Sequence, residues 1–132
     1  MSDAHTLAPL QVLVLDDDPL IRQSLKRLLR LLGAEVTLAE DAAEALALGQ
    51  RRVFDLLVTE IELGRPPNGV ETARQLLSRR RVRKAVFLSA QQDVERFLQA
   101  IILGHYVEKG HPLAFDRLKA IVEKLQDERA EP

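Results

Sequence analysis

Groups that can do chemistry follow apolar runs at four places in the chain. Asp16 and Asp17 come directly after residues 12–15, Glu60 after residues 56–59, Ser89 and Ala90 close residues 85–90, and Lys109 lies just past Tyr106 and Val107. Carboxylates, one hydroxyl and one ammonium gathered at a single edge have a specific physical use. Hard divalent cations such as Mg²⁺ take oxygen ligands in near-octahedral geometry and keep several waters. A phosphoryl group handled beside such a metal also needs a fixed cation and a hydrogen-bond donor. On that reading Asp17 holds the metal and Asp16 orients a metal-bound water, with Glu60 as a further carboxylate. Glu62 offers its main-chain carbonyl, and Ser89 and Lys109 contact phosphoryl oxygens.

These residues converge only if the segments before them are neighbouring strands. Residues 12–15, 36–39, 56–59 and 85–89 are short, largely apolar runs, as expected of strands buried on both faces, and 106–107 is a brief fifth. Helical patterns alternate with them. Pro19 suits a first helical turn, and Ile21, Leu25, Leu28, Leu29 and Leu32 form one stripe that stops at Gly33. Asp41 with Glu44 predicts a capping box for a helix over 42–49. Residues 64–69 read as a loop, 70–78 as a helix, and 115–125 as the last helix. Asp93 is the expected cap of a helix ending at Leu103, whose Val94, Phe97, Leu98, Ile101 and Ile102 read as a core face. Strict alternation implies parallel strands with right-handed crossovers and helices on both faces. In such sheets the chemistry lies beyond the carboxyl ends of the strands.

The 132 residues suffice for one domain with its own core, expected over 10–126 between tails 1–9 and 127–132. A net charge of −1 gives no bias towards nucleic acid or membrane, and the absence of cysteine excludes disulfides and thiolate catalysis. No apolar run reaches spanning length and no signal-peptide core precedes Pro9, so a cytoplasmic protein is expected. The basic run Arg79–Arg81 with Arg83 and Lys84 has no interleaved aromatics and reads as a solvated connection, not a nucleic-acid surface. His5, His105 and His111 have no metal-ligand spacing.

The pieces Val-Leu-Val-Leu-Asp-Asp-Asp-Pro (12–19), Phe-Asp-Leu-Leu-Val-Thr-Glu (54–60), Val-Phe-Leu-Ser-Ala (86–90) and Gly-His-Tyr-Val-Glu-Lys (104–109) together resemble the response-regulator receiver domain of bacterial two-component signalling, over about residues 11 to 125. Each is weak alone; in this order the set is specific. The resemblance implies a flavodoxin-like five-stranded parallel sheet of order 2-1-3-4-5, doubly wound with five helices. It implies a signalling module rather than an enzyme, which takes phosphate from a histidine kinase with Mg²⁺ bound. Its output would run through the face built by the fourth helix, fifth strand and fifth helix, to an effector or a second copy. It also implies that Ser89 moves towards the phosphate and that Tyr106 changes rotamer with it.

Three features depart from the family pattern. Glu60 stands where an acceptor aspartate is usual, and Asp55, about 16 Å away along the strand, lies at the wrong end to replace it. Gly110 replaces the proline that normally follows the lysine through a cis bond; a trans linkage and a reshaped loop are expected, with His111-Pro112 supplying a turn further on. The loop 64–69 is one residue longer than usual. Glu60 leaves three readings open: a phosphorylation-independent module in which the carboxylate imitates part of the active state, a degenerate site, or residual phosphorylation and Mg²⁺-dependent switching. A small α/β enzyme or flavin carrier is disfavoured, because Asp-Asp-Asp-Pro repels phosphate and no Gly-rich cradle follows the first strand.

Overall fold

The computed structural model describes residues 8–90 and 93–130. Its elements run β1 (Gln11–Leu15), α1 (Pro19–Leu31), β2 (Glu35–Ala39), α2 (Ala42–Arg51), β3 (Phe54–Thr59), α3 (Gly69–Ser78), β4 (Val82–Ser89), α4 (Val94–Leu103), β5 (His105–Glu108) and α5 (Ala114–Ala130). The strands form one parallel sheet of order β2-β1-β3-β4-β5. Strand order reverses at β1, so β1 and β3 lie side by side in the middle and their carboxyl ends share one crevice.

Side chains alternate across the central strands, and both faces are apolar. Leu13, Leu15 and Leu57 join Phe54, Phe87, Ala73 and Leu76 on one side. Val12, Val14, Leu56, Val58 and Val86 join Leu25, Leu29, Leu118 and Val122 on the other. Continuous rather than alternating hydrophobicity in β1 and β3 follows from burial on both faces.

Helix starts are set by side-chain caps. Asp18 accepts from Leu20 N with Pro19 in the first turn, so this third aspartate is a cap. Asp41 accepts from Glu44 N as expected, but Glu44 reaches back to Glu40 N, one residue beyond the cap, so the box there is not reciprocal. A full capping box forms instead at Asn68 and Glu71, opening α3.

Other boundaries also differ from expectation. β4 begins at Val82, so Arg83 and Lys84 lie on the strand and not in a connection. Charged residues fit there because β5 pairs with β4 only from Val86 onwards, leaving the start of β4 as an open edge. The helix expected to end near Leu125 runs to Ala130, held by Arg129, which donates to Ala8 O at 2.7 Å and faces Asp55 at 4.0 Å. Residues 127–130 are therefore helical rather than a tail. In α4 the side turned inwards carries Ala100, with Phe97 and Leu103 half-buried, while Val94, Leu98, Ile101 and Ile102 are exposed. Only part of the expected core face is core.

Candidate functional site

The carboxyl ends of β1, β3, β4 and β5 bring Asp16, Glu60, Ser89 and Lys109 into one cluster. Asp16 is buried, its Oδ1 taken by Asp18 N at 2.9 Å and its Oδ2 by Lys109 Nζ at 3.1 Å. Arg22 Nη1 donates to Asp16 O at 2.7 Å and anchors the start of α1 to the same turn. Glu60 directs Oε1 to Ser89 Oγ at 3.2 Å and Oε2 to Lys109 Nζ at 3.5 Å. Among the described side chains Oε2 is a buried oxygen with no hydrogen bond, since 3.5 Å is an ion-pair distance only.

The main chain explains how Glu60 reaches this position. Glu60 N donates to Leu15 O, continuing the β1–β3 pairing past the strand, and Thr59 Oγ1 donates to Glu60 O at 2.8 Å. Gly69 packs so tightly here that a Cβ on it would lie 1.8 Å from Glu60 O. Sequence reasoning read Gly69 only as a loop breaker; its close approach to the acceptor position has no signature in one sequence.

Lys109 is delivered by a turn. His111 N donates to Glu108 O, placing Lys109 and Gly110 at the corners, and Gly110 has φ +86. A positive φ at the third position is what a type II turn requires, and proline cannot supply it. Pro66–Pro67 is the one cis bond among the described residues, so the Lys109–Gly110 linkage is trans as expected. A first turn forms at 108–111, and the expected turn at His111-Pro112 follows it, closed by Ala114 N donating to His111 O at 3.0 Å; Lys109 N is held by Ser89 O at 2.8 Å.

Burial pushes the Glu60 carboxyl above the ordinary carboxylate range; Lys109 and the Ser89 hydrogen bond pull the other way, and the Asp16 charge adds to the rise. For Lys109 burial acts against the charge, but attraction to Glu60 and Asp16 outweighs it and holds the ammonium above the usual lysine value. One cation serves two carboxylates, so the pressure to take up a proton falls on Glu60. Burial, then the Glu108 and Glu60 charges, also pushes the Tyr106 phenol up.

The remaining expected residues are placed less centrally. Asp17 is exposed and faces the β3–α3 loop, where a Cβ on Gly64 would lie 3.6 Å from its Oδ2. The Glu62 side chain turns away to pair with Arg96 on α4, a contact the sequence did not suggest. Ala90 is exposed just past β4. Tyr106 is half-buried; its hydroxyl donates to Ser89 O at 3.1 Å and its ring meets Phe97 edge to face at 4.8 Å. Asp16, Asp17, Glu60 and Glu62 are not gathered as a metal cage: among the described residues no three acidic or histidine side chains converge. The donors are nonetheless all oxygen, and the unbonded Glu60 Oε2 leaves a lone pair for a hard cation that keeps its waters. Asp55 is far from this cluster. It accepts from Gln11 N at 2.8 Å and faces Arg83 at 3.8 Å, at the amino ends of the strands.

An open parallel sheet of this order, with acidic residues, serine and lysine at its carboxyl edge, defines a receiver-type architecture. Residues 12–123 match the response regulator receiver domain family, and the chain belongs to it. It is 34% identical over 119 residues to the response regulator MprA of Mycobacterium sp. (strain KMS), covering 89% of this chain and 50% of that protein. It is 30% identical over 115 residues to the transcriptional regulatory protein ZraR of Escherichia coli O157:H7, covering 87% of this chain and 26% of that protein. The chain thus spans half or less of the length of these curated relatives. Among solved structures it is similar to the response regulator TrrA of Thermotoga maritima in complex with Mg²⁺ and BeF, with TM-score 0.75 and 32% identity over 88% of this chain and 98% of that one. A CheY-like receiver domain protein of Methanospirillum hungatei gives TM-score 0.79 and 28% identity over 92% and 99%. The chain is thus a signalling module of two-component systems. Among the described residues no helix is long and apolar enough to cross a membrane.

Proposed function

We propose that this receiver domain signals without phosphorylation, because Glu60 occupies the place between Ser89 and Lys109 that a phosphoryl group takes in its family. The observation that carries this reading is the double contact of one carboxylate, Oε1 with Ser89 Oγ at 3.2 Å and Oε2 with Lys109 Nζ at 3.5 Å. Both partners of the expected phosphate are thereby engaged by the protein itself. The extra methylene of glutamate displaces the nucleophilic oxygen, and in-line transfer is sensitive to about an ångström of misplacement. The imitation is partial, since one carboxylate carries about half the charge of a phosphoryl group. The bond from Tyr106 to Ser89 O fits the same reading, with the aromatic turned in alongside the serine.

Asp16, Asp17, the Glu62 carbonyl and Glu60 Oε2 would hold Mg²⁺, which supplies charge neutralisation beside a phosphoryl group. The unbonded Oε2 favours that second reading, a metal-dependent switch. Output passes through protein contacts in the cytoplasm, to an effector or between two copies. The exposed Val94, Leu98, Ile101 and Ile102 supply the apolar area for such contacts on the face of α4, β5 and α5, and a histidine kinase is the upstream partner.

The test compares amide NMR signals of the native protein with those of Glu60→Ala. The substitution is expected to shift Ser89, Tyr106 and α4, whereas acetyl phosphate added to native protein already equilibrated with Mg²⁺ leaves its spectrum unchanged. Native signals that move with acetyl phosphate would contradict the proposal.

A further inference from the structure

The end of the sheet opposite the acidic cluster is strongly basic. Arg51 and Arg52 close α2, Arg79 and Arg80 follow α3, and all four are exposed. Two contacts bring these segments together: Phe54 N donates to Arg81 O at 2.9 Å, and Arg81 Nε donates to Gly49 O at 2.5 Å. Val53, 49% exposed, belongs to the α2–β3 connection within this patch. Arg83 is paired with Asp55 and Arg52 stacks over Phe54. Arg51, Arg79 and Arg80 have no ion pair among the described residues.

Cations near helix carboxyl ends offset the helix dipole, which accounts for Arg51 and Arg79 without any ligand. It does not account for the backbone of Arg80. Arg80 has φ +59 and is the one non-glycine residue with positive φ among those described. Its N–H bonds to Leu77 O, and Arg81 N to Leu76 O, the paired closure of a Schellman turn. The same closure ends α1, with Gly33 N to Arg30 O and Ala34 N to Leu29 O, and there the left-handed position holds glycine at φ +91. One motif occurs twice in this chain, relaxed at Gly33 and strained at Arg80 by a side chain that points into solvent. Retained strain at an exposed charge marks a role for the charge.

We propose that this basic edge is a docking surface for an acidic segment of a partner protein, with Arg51, Arg79 and Arg80 meeting its carboxylates and Val53 an apolar residue between them. Arginine forks suit paired carboxylates. A long phosphate polymer fits less well, because among the described residues the patch has no exposed aromatic side chain for base stacking, Phe54 being buried beneath Arg52, and Asp55 sits within it. A bilayer fits less well because a single valine gives little apolar anchorage.

Fluorescence anisotropy with labelled polyglutamate tests this, with duplex DNA and phosphatidylserine vesicles as parallel arms. Saturable, salt-sensitive polyglutamate binding is expected, weakened about tenfold by Arg80→Gly as a lost charge-assisted contact. The same Arg80→Gly protein should melt about 2–8 °C higher, since glycine relieves the left-handed strain. Tighter binding combined with lower stability in native than in Arg80→Gly would separate a recognition role from a structural one. Polyglutamate binding unchanged by Arg80→Gly, absent from the native chain, or weaker than binding to DNA or vesicles would overturn the proposal.

Discussion

At the carboxyl edge of the sheet, Asp16 and Glu60 share Lys109, with Asp17 and Glu62 close by in sequence; at the amino edge, Arg83 and Arg129 pair with Asp55, and Arg51, Arg52, Arg79, Arg80 and Arg81 lie on the neighbouring connections. The two edges share the same strands, yet they handle charge differently. The carboxyl cluster is drawn inwards, with Asp16 2% exposed and Glu60 11%, so its pairings are strong and its protonation is shifted. At the amino edge most cations remain in water, and only Asp55 is drawn in, by Gln11 N, Arg83 and Arg129. Net charge hides this polarity altogether. Desolvation rather than the number of charges therefore decides where protonation shifts.

The comparison breaks most severely at Gly69. Gly69→Ala places a methyl 1.8 Å from Glu60 O, so the β3–α3 loop must move. A loss of about 3 kcal/mol or more is expected in urea unfolding, at the upper end of overpacking effects. Lys109→Met leaves buried Asp16 without its cation; with Lys109 itself 26% exposed, a loss of about 2–3 kcal/mol is expected, below that of a fully buried pair. Asp55→Ala removes the bond to Gln11 N and the pairs to Arg83 and Arg129, for about 1–2 kcal/mol by thermal melting, with no change at Ser89 or Tyr106.

The smallest effect is in pH dependence. Because the folded pKa of Glu60 lies above 4.5, the native state holds more protons than the unfolded chain between 4.5 and the raised value. Its contribution to stability is therefore greatest below pH 4.5 and is lost as pH rises through that window. Glu60→Gln should abolish that decline, seen as a flatter difference in urea midpoint across mildly acidic pH. Lys109 acts at the other extreme: its stabilisation is present below pH 10.5 and is lost as pH rises through its raised pKa.

Much of the fold was legible because burial on both faces writes continuous apolar strands and strict alternation writes the topology. Asp16, Glu60, Ser89 and Lys109 were legible for the same reason, since each directly follows a strand or nearly so. What stayed hidden depends on approach between distant segments. Nothing local announces that Gly69 touches the Glu60 carbonyl, that Arg96 pairs with Glu62, or that Arg80 adopts a glycine conformation. The start of β4 was masked by Arg83 and Lys84, charged because that stretch has an open flank. In α4 the hydrophobic spacing marked a stripe wider than the core can cover, and the excess, Val94, Leu98, Ile101 and Ile102, faces outwards.

Substitution of the methylene itself tests the central claim most directly. Native protein and Glu60→Asp are incubated with acetyl phosphate and Mg²⁺, and intact mass is followed with time. The account predicts no phosphoryl adduct on the native chain and at least partial phosphorylation of Glu60→Asp. A stoichiometric acyl-phosphate on native Glu60 would contradict it.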